Sequence, residues 1–413
     1  MARSAVGLPL TLLVAFVAAL VPAMTSAAAG PVSAQEVRAL WVSRASLTSP
    51  AAVAAMVKSA QATRFNTLLV QVRGRGDSYF SDGLEPRAAA LALQPDSFDP
   101  LAATLKLAHA QGIRVHAWIN IALVASAVEP PASREHLVYR HPEWLMVPRA
   151  LARDMVLLDA HSQLYLDKLM RWARLQPSEI EGLYASPIPQ ESRDATVALV
   201  ADIVARYPID GVHVDYVRYP NDDFDYSREA LEAFRSDVLA SLDEAARRQR
   251  ERTLGNDLVA WADAFPDRWR DFRRQRLTAL VTRLRDSIKA RRPDVLFSAA
   301  VVPDVAEAAA RRLQDWGGWL QRQLLDAVCP MAYATDASVF AAQVAGAREA
   351  AGGRPVWAGI GAYRLSSSQT VENIQIARKL GASGIVLFSY DSLMSLPRGV
   401  EYFVQIARDA FKE

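Results

Sequence analysis

Eight short β-rich runs, each followed by a helical pattern, predict an α/β fold: a (β/α)8 TIM barrel with parallel strands joined by right-handed crossovers. Two further observations favour that choice. No Gly-rich turn of the dinucleotide type follows the first run, so an open doubly wound sheet lacks its signature. The 413 residues exceed the roughly 250 of a typical barrel by an amount that two insertions absorb.

The runs come in order. The first, 37–43, precedes an Ala-rich helix from about Ala51, and the second, 65–73, precedes a helix over 100–111. The third, 113–120, opens into a long irregular insertion, 121–189, and then a helix over 194–206. The fourth, 210–217, leads to a helical insertion over 227–252 and a helix over 269–291. The runs 295–302, 327–334, 355–363 and 384–390 complete the eight, and a helix over 400–411 closes the chain. No Pro/Gly/Ser linker divides residues 35–413, so they read as one barrel domain.

Composition narrows the function. Half the residues (51%) are hydrophobic and 22% are charged, which supports a large core rather than disorder. Forty-seven Lys and Arg against forty-five Asp and Glu leave +2, without the basic excess of a nucleic-acid binder. The single cysteine, Cys329, excludes an internal disulfide framework and a Cys-rich metal cluster. Residues 1–34 read as a secretory signal and short leader: Arg3, an apolar middle over 5–21, and small residues before a cut after Ala27 to Ala29 or after Ala34. With no cysteine near the cut to carry a lipid, and no later apolar run of about 18 residues, the expectation is a periplasmic or secreted protein without a membrane span after cleavage.

In a barrel the chemistry sits at the carboxyl ends of the strands. Alternation sorts the side chains. On strand four, Val212 and Val214 face the helices while His213 and Asp215 face inward, with Asp215 nearer the mouth. Asp210, at the strand's start before Gly211, reads as turn chemistry. Strand two presents Leu69, Gln71 and Arg73 to the interior, and strand three His116, Trp118 and Asn120. The later strands end at Asp304, Tyr333, Tyr363 and Tyr390-Asp391. Arginine, asparagine, carboxylates and aromatic rings converging on one rim suit a polyhydroxylated ligand: rings stack on sugar faces and fixed polar groups hold hydroxyls. Plainer readings stand beside these. Arg73 and Asp215 can form a buried ion pair, the two histidines can be hydrogen-bonded interior residues, Trp118 can be core, and Asp304 can cap a loop. No His-x-His pair, helical Glu-flanked His pair or Gly-x-Ser-x-Gly turn occurs, and His136 and His141 stand without an acidic set, so no metal or cofactor is expected.

Several motifs also resemble a known family. Ala39-Leu40-Trp41-Val42, Gln71-Val72-Arg73-Gly74-Arg75, His116-Ala117-Trp118-Ile119-Asn120 and His141-Pro142-Glu143-Trp144 are similar to stretches of the family 10 glycosylhydrolase-like proteins. So are Asp210-Gly211-Val212-His213-Val214-Asp215 through Tyr219-Pro220, Cys329-Pro330-Met331-Ala332-Tyr333, Gly359-Ile360-Gly361-Ala362-Tyr363 and Phe388-Ser389-Tyr390. The resemblance spans Glu36 to the carboxyl terminus. It implies a barrel that hydrolyses glycosidic bonds in a bacterial envelope or extracellular polysaccharide, peptidoglycan glycan strands stripped of stem peptides among them. Many relatives carry a second Asp where this chain has Tyr216, which leaves a second carboxylate to be assigned. The chitinase signature places a Glu just beyond its last Asp, where this chain has Val217 and Arg218.

Glycoside hydrolysis needs an acid plus a nucleophile or base. Asp215 is the expected acid and Asp391 the leading second carboxylate, with Glu85 and Asp304 behind it. A 2-acetamido group on the substrate would remove the need for an enzymic nucleophile. Arg73, Arg75, Glu85, His116, Trp118, Asn120, His213, Arg218, Asp304, Tyr333, Tyr363 and Tyr390 are the expected substrate-binding set. Tyr139, Trp144 and Tyr184 in the insertion offer a wall for a polymer cleft, or a plain ordered insertion. The rivals are a catalytically silent glycan-binding barrel and an isomerase or lyase acting on a small sugar in a closed pocket.

Overall fold

Strands covered by helices on one face and by packed side chains on the other are largely apolar, and the β-rich runs are, with polar residues gathered toward their carboxyl ends and on the interior face. In the computed structural model, which describes Met1 and residues 35–411, they form eight parallel strands closed into a barrel. The strands are β1 Val37–Val42, β2 Thr67–Arg73, β3 Arg114–Asn120, β4 Gly211–Asp215, β5 Leu296–Val301, β6 Ala327–Ala332, β7 Trp357–Ile360 and β8 Gly384–Leu387. Each pairs with its neighbours in the chain, and β8 closes on β1 from Val37 opposite Gly384 to Leu40 opposite Leu387. The signal expected within 1–34 lies outside the described residues, Met1 apart. Among the described residues no helix is long and apolar enough to cross a membrane.

Caps set the helix starts. Ser49 accepts from the Ala52 amide at 3.1 Å ahead of helix Pro50–Ala62, and Asp99 from the Ala102 amide at 2.9 Å ahead of Pro100–His109. Each helix begins with proline, whose missing N–H is no loss there. The insertion expected to be helical over 227–252 divides into Arg228–Ala240 and Glu244–Leu254, because Asp243 caps the second by accepting from Ala246 at 2.8 Å.

Two apolar layers result. Val212 and Val214 join the layer between strands and helices, whereas Trp41, Leu69, Trp118, Cys329 and Trp357 fill the barrel itself. A separate core of Phe234, Trp261, Trp269 and Phe272 sits under the helical insertion. The insertion after β3 carries a two-stranded ribbon, Leu123–Ala125 with Leu183–Tyr184. It is pinned by the buried Asp225 carboxylate, which accepts from the Val147 amide at 2.9 Å and the Ser227 amide at 2.7 Å.

One irregularity matters for the site. Gln71 lies opposite Trp118, but Arg73 lies opposite Ile119, so β2 carries an extra residue at Val72. Such a bulge turns the following side chain to the other face. Ile119 belongs to the outer layer, and Arg73 follows it out of the barrel interior, against the alternation read from the sequence.

Candidate active site at the barrel mouth

Asp215 is the last residue of β4, level with Asn120 on β3. Its side chain lies among interior residues: its charge acts on Cys329 and Tyr333, and the Trp118 indole favours its anionic form. Only 7% of Asp215 is exposed. Burial pushes its pKa from an ordinary 3.8 up to about 6, with Glu181 adding to the rise, against the Tyr216 amide, Arg218 and Trp118. The Tyr216 amide donates to Asp215 Oδ1 at 2.6 Å. Tyr216 itself has φ of 50°, an uncommon conformation for a bulky side chain, at the point where β4 opens into its loop.

Around Asp215 the charges are few and close. The Tyr216 ring lies 4.7 Å from the Arg218 guanidinium carbon, and Arg218 Nη2 donates to Glu181 Oε1 at 3.2 Å. Arg218 is buried, and its Nε and Nη1 have no hydrogen-bond partner. The other Glu181 oxygen accepts from the Tyr184 hydroxyl. Despite its own desolvation, Glu181 is held below the usual carboxylate range by Arg218 and Tyr184. Arg75 Nη1 donates to the Glu181 carbonyl at 3.0 Å, fixing the backbone there. A Cβ at Gly182 would overlap the Ala125 carbonyl, so only glycine lets this loop approach the ribbon so closely.

Rings complete the mouth. Phe388, just past β8, stands 5.8 Å from Trp41, 5.5 Å from Tyr333, 5.9 Å from Tyr363 and 6.4 Å from Trp118. Tyr363 is 44% exposed and presents an open aromatic face. Beside them Asn120 donates to the Gly74 carbonyl at 2.9 Å, and Gln71 accepts from the Arg44 guanidinium at 3.3 Å. An acid with its pKa raised to about 6, a neighbouring carboxylate kept ionised, and an aromatic panel can together protonate an ether oxygen beside a stacked ring.

Comparisons with known proteins bear on this geometry. The family profile Glycosyl hydrolase-like 10 matches residues 36–372. The chain belongs to that family. Its curated relatives include Glycosyl hydrolase YngK of Bacillus subtilis (strain 168), 23% identical over 299 residues, and Glycosyl hydrolase DigH of Escherichia coli (strain K12), 22% identical over 347. These alignments take in 67% and 73% of this chain but only 48% of YngK and 66% of DigH. Among solved structures, the glycoside hydrolase domain of PgaB from Bordetella bronchiseptica superposes with a TM-score of 0.60 at 15% identity, covering 92% of this chain and all (100%) of that one. A β-galactosidase from Bacillus circulans sp. alkalophilus also gives 0.60, at 13% identity, over 91% of this chain and 56% of its own. At such identities the likeness concerns the fold.

Within this family member, the residues singled out from sequence part into three groups. Asp215, Trp118, Asn120, Arg75, Arg218, Tyr333 and Tyr363 gather at or beside the mouth. Arg73 and Glu85 form a pair of their own: Arg73 Nη2 meets Glu85 Oε1 at 2.5 Å and Nε meets Oε2 at 2.7 Å, while Nη1 reaches the Asn120 and Ile121 carbonyls. The ion pair of Arg73 with Asp215 does not form, because the bulge points Arg73 elsewhere. The pair instead lines a side cavity of about 260 Å³ between Trp144 and the helix Gln190–Arg206, outside the barrel.

The third group is structural. His213 accepts from Trp41 Nε1 at 3.1 Å and meets Ser298 Oγ at 3.0 Å; burial holds its pKa at about 3. His116, pushed to about 4 by burial, packs against Gly211 with neither ring nitrogen partnered, which departs from the hydrogen-bonded interior reading. Asp210 caps β3 by accepting from the Val115 amide at 2.7 Å. Asp304 is exposed and caps helix Val305–Arg311. Tyr390 opens a short helix, Tyr390–Met394, and points back to Phe403 with ring centroids 5.9 Å apart, so Phe388 takes the mouth position expected of it. Asp391 spends both oxygens on the β1 loop, one on the Ser43 amide and one on the Ser46 hydroxyl, each at 2.6 Å. Asp391 is thereby held against the β1 loop, in place of the expected position beside Asp215. In the insertion, Trp144 stacks on His141 at 3.9 Å and Tyr184 is buried. Glu181, Tyr216, Gln71, Arg44 and Phe388 were not among the expected site residues. Gln71 shows the period-two signal, but Glu181 lies in an aperiodic stretch that nothing in the sequence ties to Asp215.

Proposed function

We propose that this protein is an exported glycoside hydrolase that cleaves glycosidic bonds of an envelope polysaccharide, with Asp215 as the proton donor. The observation that carries the reading is the state of Asp215: a carboxyl at the strand ends of a barrel, its pKa pushed up to about 6. Near neutral pH such a group keeps a useful share of its proton and delivers it to the bridging oxygen of a glycoside. Tyr363, Phe388 and Tyr333 offer faces for the sugar ring. The names of the family and of its curated relatives support the reaction class.

For the substrate, we favour peptidoglycan glycan strands freed of stem peptides. Incubating the purified protein with such strands should release new reducing ends, and Asp215→Asn should lower the rate by about 10²- to 10⁴-fold. Binding without product from the wild-type protein would mark a silent glycan-binding barrel instead. Turnover of monosaccharides alone would mark an isomerase or lyase.

A further inference from the structure

We propose that Glu181 is the partner of Asp215: the base that takes a proton from the attacking water while Asp215 protonates the departing oxygen. The assignment rests on the hydrolase reading above and fills the place left by Asp391.

The contacts form an unbroken path. Asp215 Oδ1 accepts from the Tyr216 amide at 2.6 Å, the Tyr216 ring lies beneath Arg218, and Arg218 grips Glu181 at 3.2 Å. Glu181 comes from the insertion after β3, and its carbonyl is tied to Arg75 at 3.0 Å. The two carboxylates therefore share one cation, Arg218, which acts electrostatically on both. Arg218 is 8% exposed and keeps Nε and Nη1 unpartnered. A buried guanidinium with unpartnered donors is costly, which makes the carboxylates beside it its electrostatic complement.

The roles of the two acids follow from their surroundings. Asp215, almost wholly enclosed, is driven toward its protonated form. Glu181 keeps 41% of its side chain exposed and is held as an anion by Arg218 and Tyr184, with Arg75 and Arg312 the further cations in reach. Environments that push two neighbouring carboxyls apart divide acid from base. The solvent-reached anion is the one able to accept a proton from water. Of the other carboxylates near the rim, Glu85 keeps only 13% of its side chain exposed and faces Arg73 outside the barrel, and Asp391 is turned onto the β1 loop.

The step balances. The water oxygen bonds to the anomeric carbon as the bond from that carbon to the bridging oxygen breaks. The electron pair of the broken bond stays on the bridging oxygen, which takes the Asp215 proton, and one water proton passes to Glu181. One water is consumed, two hydroxyl-bearing ends appear, and exchange with solvent restores both carboxyls. Attack on the face opposite the leaving oxygen inverts the configuration.

The test uses the full mature protein with peptide-free glycan strands. Glu181→Gln should retain the wild-type far-UV spectrum and melting transition while kcat falls about 10²- to 10⁴-fold. Azide should restore turnover to Glu181→Ala, leaving a glycosyl azide, and should do nothing for Asp215→Asn. The product first formed by the wild-type protein, read by NMR, should have inverted configuration. Retained configuration, or Glu181→Gln within threefold of wild type while Asp215→Asn is inactive, overturns the assignment to Glu181 and leaves the hydrolase reading standing. No product from wild type overturns both.

Discussion

Two arginines stand at two strand ends of this barrel, each facing a glutamate, and they are used in opposite ways. At the end of β2, Arg73 meets Glu85 through two nitrogens and gives the third to backbone carbonyls. Beyond β4, Arg218 meets Glu181 through one nitrogen and leaves two buried without partners. Both guanidiniums are nearly enclosed, at 5% and 8% exposure, so burial alone does not separate them. Satisfaction does. A buried charge whose donors are all engaged holds loops together, whereas one left partly unpartnered bears chiefly on the carboxylates beside it, here Asp215 and Glu181.

The largest expected effect on stability breaks the first pair. Glu85→Gln leaves Arg73 buried with half its forked contact, and removing one partner of a buried pair costs about 3 kcal/mol or more. Urea denaturation should show that loss, while kcat of the folded fraction stays near wild type. A large drop in kcat without loss of stability would put the Arg73 pair in the reaction and undo the contrast.

The next effect has the opposite sign. Above about pH 6 the native Asp215 is ionised in a site that favours the acid, whereas in the unfolded chain the same carboxyl ionises at its ordinary 3.8. Folding is therefore opposed by the full gap above pH 6, by a shrinking part of it between 6 and 3.8, and by none of it below. Asp215→Asn should raise stability by roughly 2 to 3 kcal/mol at pH 7.5 and by almost nothing at pH 3.5. Denaturation midpoints at the two pH values check it, and an equal change at both would contradict the pKa assignment.

The smallest stability effect belongs to Arg218. Arg218→Met removes two unpartnered buried donors together with one ion pair, and the two losses offset, leaving stability within about 1 kcal/mol. Activity should still fall at least tenfold, because Glu181 loses the cation that holds it ionised. Parallel loss of stability and activity would make Arg218 another Arg73.

The sequence reveals the frame more fully than the site. Period-two alternation and flanking helical patterns locate all eight strands, and alternation on β4 places Asp215 inward at the mouth. The same rule fails on β2, because a one-residue bulge at Val72 leaves no mark in a run of apolar residues and reverses Arg73. It fails again after β8, where the strand stops at Leu387 and a short helix carries Tyr390 outward and Asp391 onto the β1 loop. Glu181 was beyond reach for a different reason. Its nearness to Asp215 depends on how a loop of nearly seventy residues (121–189) folds back through a two-residue ribbon strand and Gly182, and no local pattern encodes that return.

The central claim is that Asp215 delivers a proton from a pKa lifted by burial. The dependence of kcat/KM on pH with peptide-free glycan strands tests it most directly. The account predicts a rate that falls as pH rises through about 6, as Asp215 loses its proton, and that falls again in acid as Glu181 gains one below the usual carboxylate range. A rate that stays level from pH 5 to pH 8 would contradict it.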